Sequence, residues 1–142
     1  MQVKRYRPKI DKLFYIIWVP TGLLMLALTL VTAIFELKTL FWTLPLDLFV
    51  FYFLFSSLVG YAELRETSLF IRYGFILKKE IPYSEICGIE KVRRWYSETM
   101  LSLKNSMEHV NIKYKRFDIT AVSVKDNDGF IEEIKARINY GR

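Results

Sequence analysis

The sequence predicts an α+β membrane protein: a transmembrane helical hairpin over 13–60, then a small antiparallel β domain over 61–142 that a C-terminal helix closes. Three observations predict it. Hydrophobic residues make up 52% of the 142, yet between 13 and 60 only Glu36, Lys38 and Asp47 are charged. From 61 onward fifteen basic and twelve acidic side chains punctuate the chain, and apolar residues alternate with polar ones as in half-buried strands. Over 125–142 the apolar spacing changes to that of a helix.

Residues 1–12, "MQVKRYRPKIDK", form a basic flank with five Lys/Arg. Residues 13–35, "LFYIIWVPTGLLMLALTLVTAIF", carry no charge over 23 positions. As a helix they span about 34 Å, more than the ~30 Å hydrocarbon core. The run exceeds the roughly 7–15 residues of a signal-peptide core, and no small-x-small cleavage site precedes Glu36, so a retained helix is expected. Pro20 and Gly22 are tolerable there, because neighbouring helices re-satisfy freed backbone groups. "ELKT", 36–39, is the only polar break before a second apolar segment, 40–62, and so short a break implies an antiparallel hairpin. Five Lys/Arg precede the hairpin and one lies in its turn. Lys/Arg-rich flanks stay inside, which predicts a two-span plasma-membrane protein with both chain ends cytoplasmic. The single Cys87, with no intramolecular disulfide partner, agrees.

Asp47 sits in the apolar stretch "LPLDLFVFYF". If Thr43 caps the second helix and Pro45 lies in its first turn, Asp47 is an early helical residue favoured by the positive end of the helix dipole. Phe41 and Trp42 are then interfacial aromatics. The other reading makes Asp47 an intramembrane polar site for an ion, a proton or a partner, with only Thr21, Thr29, Thr32, Ser56 and Ser57 as polar company.

Beyond Tyr61, "SLFIRYG" places Leu69, Ile71 and Tyr73 on one face, with Gly74 in a tight hairpin leading to a second strand, "FILKKEIPY". "ICGIEKV" is a third strand with Gly88 at a bulge. "HVNIKYK" alternates Val110, Ile112 and Tyr114 with His109, Asn111, Lys113 and Lys115, and "FDITAVSV" follows after a short turn. In the last segment Phe130, Ile131, Ile134 and Ile138 form an apolar stripe. Asp126 or Asp128 caps its start, Lys135 and Arg137 lie late, and Gly141 suits its end. That stripe is expected to plug the open end of a small barrel or sandwich.

The residues "IPYSEI" at 81–86, "LSL" at 101–103, "VNIKY" at 110–114, and Ser123 with Asp126 and Phe130-Ile131 carry a resemblance over about 69–138. In that order and spacing they resemble the bacterial pleckstrin-homology-like (PH-like) domains of membrane-anchored proteins, in particular the YyaB-like group, which is similar to the immunity protein against the bacteriocin sublancin. The resemblance implies a PH-like fold and a role in bacteriocin immunity or envelope-stress protection. The sequence departs from that pattern at Val124, where the group tends to place proline, and in having two spans.

No catalytic chemistry is legible, so no enzyme and no cofactor is expected. His109 and Cys87 lie 22 positions apart and do not make a metal-ligand spacing. His109 is expected on the solvent face of its strand and Cys87 as a small core residue. There is no Gly-rich phosphate loop. The candidate surface for a partner or the membrane is basic and aromatic: Lys78, Lys79, Arg93, Arg94, Trp95 and Tyr96. Trp95, Met100 and Met107 mark either a partner surface or, for Trp95 together with Leu103, the closing of the barrel. The β domain is only +3, with acidic residues dispersed through it, so no nucleic acid is expected. The expected partners are the lipid bilayer and another membrane protein; a homo-oligomer that gathers copies of Asp47 around a pathway is the alternative.

Overall fold

The computed structural model describes residues 2–96, 99, 102–103 and 106–140; Met100, Leu101 and Gly141 lie outside the described residues. The first strand precedes the hairpin. β1 (Lys4–Tyr6) pairs antiparallel with β2 (Tyr61–Leu64), Lys4 opposite Leu64 and Tyr6 opposite Ala62. The basic flank is therefore part of the β domain and not a separate segment. Tyr6 explains why: it is buried edge-on against Phe130, with ring centroids 5.0 Å apart. On the opposite face Arg5 pairs with Glu63 at 2.9 Å and lies over the Tyr61 ring.

The hairpin consists of α1 (Lys12–Phe35), a 3-10 turn (Leu37–Thr39) and α2 (Leu40–Val59). Both helices are long and apolar enough to cross a membrane, and only 11% of the apolar window of each is buried; the core helix of a soluble protein would be mostly buried. Leu30, Ile34, Leu48 and Phe49 all face outward. α2 does not start near Thr43. It continues straight from the turn, and Thr43 lies inside it with its hydroxyl on the Thr39 carbonyl at 3.2 Å. A delayed start would leave the peptide groups of 40–42 unpaired beside apolar side chains, which outweighs the capping preference of Thr43. α2 also ends at Val59, short of the expected 62, because Tyr61 already belongs to β2.

β3 (Ser68–Arg72) and β4 (Lys78–Pro82) complete one antiparallel sheet in the order β1-β2-β3-β4. β5 (Ile86–Arg93), β6 (Ser102–Leu103), β7 (Glu108–Tyr114) and β8 (Asp118–Val122) form a second, in the order β5-β7-β8-β6, antiparallel except that β6 runs parallel to β8. The barrel expected as one alternative does not close. β4 passes to β5 through a helical turn, Tyr83–Glu85, without pairing to it. Leu64, Leu69, Ile71 and Ile81 of the first sheet share a core with Val110, Ile112 and Val122 of the second and with Phe130 and Ile134. The last two belong to α3 (Asn127–Tyr140), whose start is capped by Asp126 accepting the Gly129 N–H at 2.9 Å. Residues 7–9 tie the two sheets together: Pro8 bridges Val124, and the Lys9 N–H donates to the Ser123 carbonyl at 3.0 Å.

Two local expectations change, at His109 with Asn111 and at Cys87, and two further placements stand out, at Phe117 and Arg137. His109 and Asn111 are buried on the face of the central strand β7 where Lys113 stays exposed, so that face is covered over part of its length. Cys87 is exposed: the register slips between Ile86 and Gly88, so the bulge expected at Gly88 leaves Cys87 as the extra residue, its thiol on the Lys115 carbonyl. Phe117 is exposed in the β7–β8 turn, where Lys115 takes a positive φ of 54°. Arg137 lies late in the helix as expected, and it is buried there, donating to the Gln2 and Arg65 carbonyls, each at 2.7 Å.

Candidate functional site at the base of the helical hairpin

The candidate residues form two patches, not one, and both adjoin the feet of the hairpin. The first follows β5. Arg93 ends that strand, and Arg94, Trp95 and Tyr96 are exposed beyond it, Trp95 at 81%. Trp95 therefore closes no core, whereas Leu103 is buried in it. Trp95 meets Tyr96 edge to face at 5.7 Å, and the Arg94 guanidinium lies over the Tyr96 ring. This loop is pinned to the foot of α1. Asp11 accepts the Ser106 hydroxyl at 2.9 Å and the Met107 N–H at 3.0 Å, while Arg94 N–H donates to the Met107 carbonyl at 2.9 Å. Asp11 occupies the N-cap position of α1 but makes no side-chain cap bond, since its carboxylate is committed to the loop. Arg93 shares a shallow recess with Lys9, Asp11, Met107 and Glu108.

The second patch is at the foot of α2. Lys78 opens β4 and is exposed, opposite Arg72 on β3. Lys79 is half-buried, hydrogen-bonded to the Tyr114 hydroxyl and lying over its ring, and so is largely committed to the domain. The strand expected to begin at Phe75 begins at Lys78, and Phe75, Ile76 and Leu77 are left exposed in the β3–β4 loop. These residues were missed by reading the sequence as a strand. The signal was present: three apolar residues directly after Gly74, where a turn normally carries polar ones.

Asp47 lies apart from both patches, within the hairpin. It is 4% exposed, and its Oδ2 accepts the Thr29 hydroxyl of α1 at 2.7 Å, while Oδ1 has no hydrogen-bond partner among the described residues. It sits about 10 Å along α2 from Leu40, two turns beyond the helix end where a dipole term acts. Of its expected polar company, Thr29 reaches it.

The acid–base environment belongs to the structural frame. Burial pushes the Glu63 carboxyl up, but hydrogen bonds from Arg5 and Arg65 outweigh it and hold the group below its ordinary value. Burial raises the Tyr73 hydroxyl to about 12, against a hydrogen bond with Thr120 at 2.5 Å that works the other way. Among the described residues no three His, Cys, Asp or Glu side chains converge into a metal-ligating group.

Two sheets and a closing helix are a frame that the family comparison places. A family profile described as Bacterial PH domain matches residues 60–138. The chain belongs to the bacterial PH domain family. No curated protein and no solved structure matches it. The matched stretch starts at the end of the hairpin, so this bacterial PH domain carries one strand, β1, from ahead of the match.

Proposed function

We propose that the protein is a membrane-anchored bacterial PH-like binding module. α1 and α2 cross the bilayer as a hairpin, the PH domain stands on the cytoplasmic face, and its Arg93–Tyr96 loop contacts another membrane protein. The observation that carries this reading is the outward-facing apolar surface of both helices, which only lipid or protein of similar apolarity can cover, joined to a domain of a binding family. Trp and Arg are over-represented where interfaces concentrate their energy, and Trp95 is the most exposed aromatic of its loop. The module works by contact and not by chemistry. Bacteriocin immunity or envelope-stress protection is the role implied by the likeness of its PH domain to the YyaB-like group.

The test is a photo-crosslinking residue at Trp95 in the full chain in cells, compared with the same residue at Glu66. A discrete membrane-fraction adduct from position 95 and none from 66 is expected. Equal labelling, or none at 95, would remove the partner-binding role from this loop. Challenge of a deletion strain with membrane-active bacteriocins examines the protective role separately. The second reading, a small oligomeric transport or channel component using Asp47, is favoured by one observation, the unpartnered Oδ1 of a buried carboxylate between two helices.

A further inference from the structure

The β3–β4 loop spans 73–77, and its apolar tip is largely uncovered among the described residues: Phe75, Ile76 and Leu77 are 45%, 74% and 53% exposed. The loop is well fastened. The Tyr73 N–H donates to the Leu77 carbonyl at 2.8 Å, and the Arg72 guanidinium donates to the carbonyls of Gly74 at 2.8 Å and Phe75 at 3.1 Å. It is also fastened to α2. Gly74, at φ 142°, lies so close to the last turns of that helix that a Cβ would meet the Ser56 Oγ at 1.7 Å. The Ser56 hydroxyl donates to the Tyr73 carbonyl at 3.4 Å, and the Phe75 ring lies 6.1 Å from that of Tyr52. The tip is thereby continuous with the outward apolar surface of α2, which includes Phe53, Phe55 and Val59. At its base Arg72 and Lys78 face each other across the strands, and among the described residues neither has a carboxylate partner.

We propose that residues 75–77 form a wedge inserted into the leaflet from which α2 emerges, at the boundary of headgroups and acyl chains, with Lys78, and the one Arg72 nitrogen that the loop carbonyls leave over, directed to anionic headgroups. The inference rests on the membrane-anchored reading. Apolar side chains backed by basic ones are the composition that settles at such a boundary. A hairpin alone lets the domain swing about its two connections. A third contact on the side of α2 fixes its tilt and, with it, the height of the Trp95 loop beside α1 above the lipid.

The experiment uses the full chain carrying Cys87→Ser in phosphatidylcholine/phosphatidylglycerol vesicles. An environment-sensitive fluorophore is placed on a single cysteine at Ile76, at Leu30 in α1, or at Glu66 in the turn at the far end of the β2–β3 hairpin. The Ile76 probe is expected to be blue-shifted relative to the Glu66 probe and quenched by spin-labelled lipids at the acyl–headgroup boundary. Quenching at Leu30 with an Ile76 probe as solvated as that at Glu66 would overturn the wedge and leave the anchored reading standing. An unquenched Leu30 probe would overturn both. A blue shift at Ile76 that lipid-borne quenchers do not touch would mean that protein covers the tip, which also overturns the wedge.

Discussion

Asp47 and Thr29 are joined by one hydrogen bond of 2.7 Å between two helices, with the second carboxylate oxygen unpaired. Removing one partner from a buried pair leaves a desolvated polar group and costs about 1–3 kcal/mol, whereas replacing both by apolar groups is nearly neutral. Thr29→Val should therefore destabilise the hairpin by about that amount, and Thr29→Val with Asp47→Leu should recover most of it, as read by thermal unfolding in mild detergent. The cellular phenotype of the double variant separates the two readings. It persists if Asp47 is structural, and its loss at normal stability would promote the transport reading. Gly74 is the other residue on which much depends. A side chain there meets Ser56 at once and would hold an unfavourable φ of 142°, so Gly74→Ala should cost roughly 1–3 kcal/mol in a denaturant titration; a neutral result would show that the β3–β4 loop does not bear on α2. Neither role was legible in the sequence. A polar residue in an apolar helix announces itself, but its partner 18 positions away is fixed only by the hairpin's register.

At the scale of elements, the alternation of "HVNIKYK" and the helical spacing of Phe130, Ile134 and Ile138 predicted the strand and the helix that hold the core. β1 was not legible, since three residues, Lys4-Arg5-Tyr6, show too little alternation to stand out, and their strand exists only because β2 offers an edge 58 positions later. For the same reason the PH domain should not retain its full stability when cut at residue 60. Phe130 is fully buried and packs on Tyr6. Phe130→Ala should cost about 3–5 kcal/mol. Deletion of residues 2–6 should lower the melting temperature as well; an unchanged transition after the deletion would remove β1 from the cooperative unit. The first sheet also carries a pH dependence. Glu63 on β2 titrates below its ordinary value because of Arg5 and Arg65, despite burial. A lowered folded-state value means that the stabilisation is present above the ordinary value of 4.5 and is lost as pH falls through the folded one. Stability should drop on acidification below about pH 4, and Glu63→Gln should flatten that limb of the profile.

The whole molecule is a PH domain with a helical hairpin inserted between its first two strands, and this connectivity argues for topology independently of charge. β1 leads into α1 and β2 leaves α2, yet Tyr6 lies directly opposite Ala62 in one ladder. Both feet of the hairpin must then emerge on the same side of any bilayer it crosses. The Lys/Arg bias, five such residues in 1–12 against Lys38 alone in the turn between the helices, leads us to propose the cytoplasmic side. The sequence pattern gives the same antiparallel pairing of the helices without β1, because a four-residue polar break already forces it; what it missed is that the domain's own sheet locks the pair shut. On a Cys87→Ser background, an impermeant thiol reagent applied to intact cells should label a cysteine placed at Lys38 and spare cysteines at Gln2 and Glu66, with both becoming reactive after permeabilisation. Labelling of Gln2 and Glu66 together, with Lys38 protected, would invert the orientation while keeping the hairpin. Labelling of Gln2 but not Glu66 in intact cells would place β1 and β2 on opposite sides of the membrane, which the ladder between them does not allow, and would refute the fold itself.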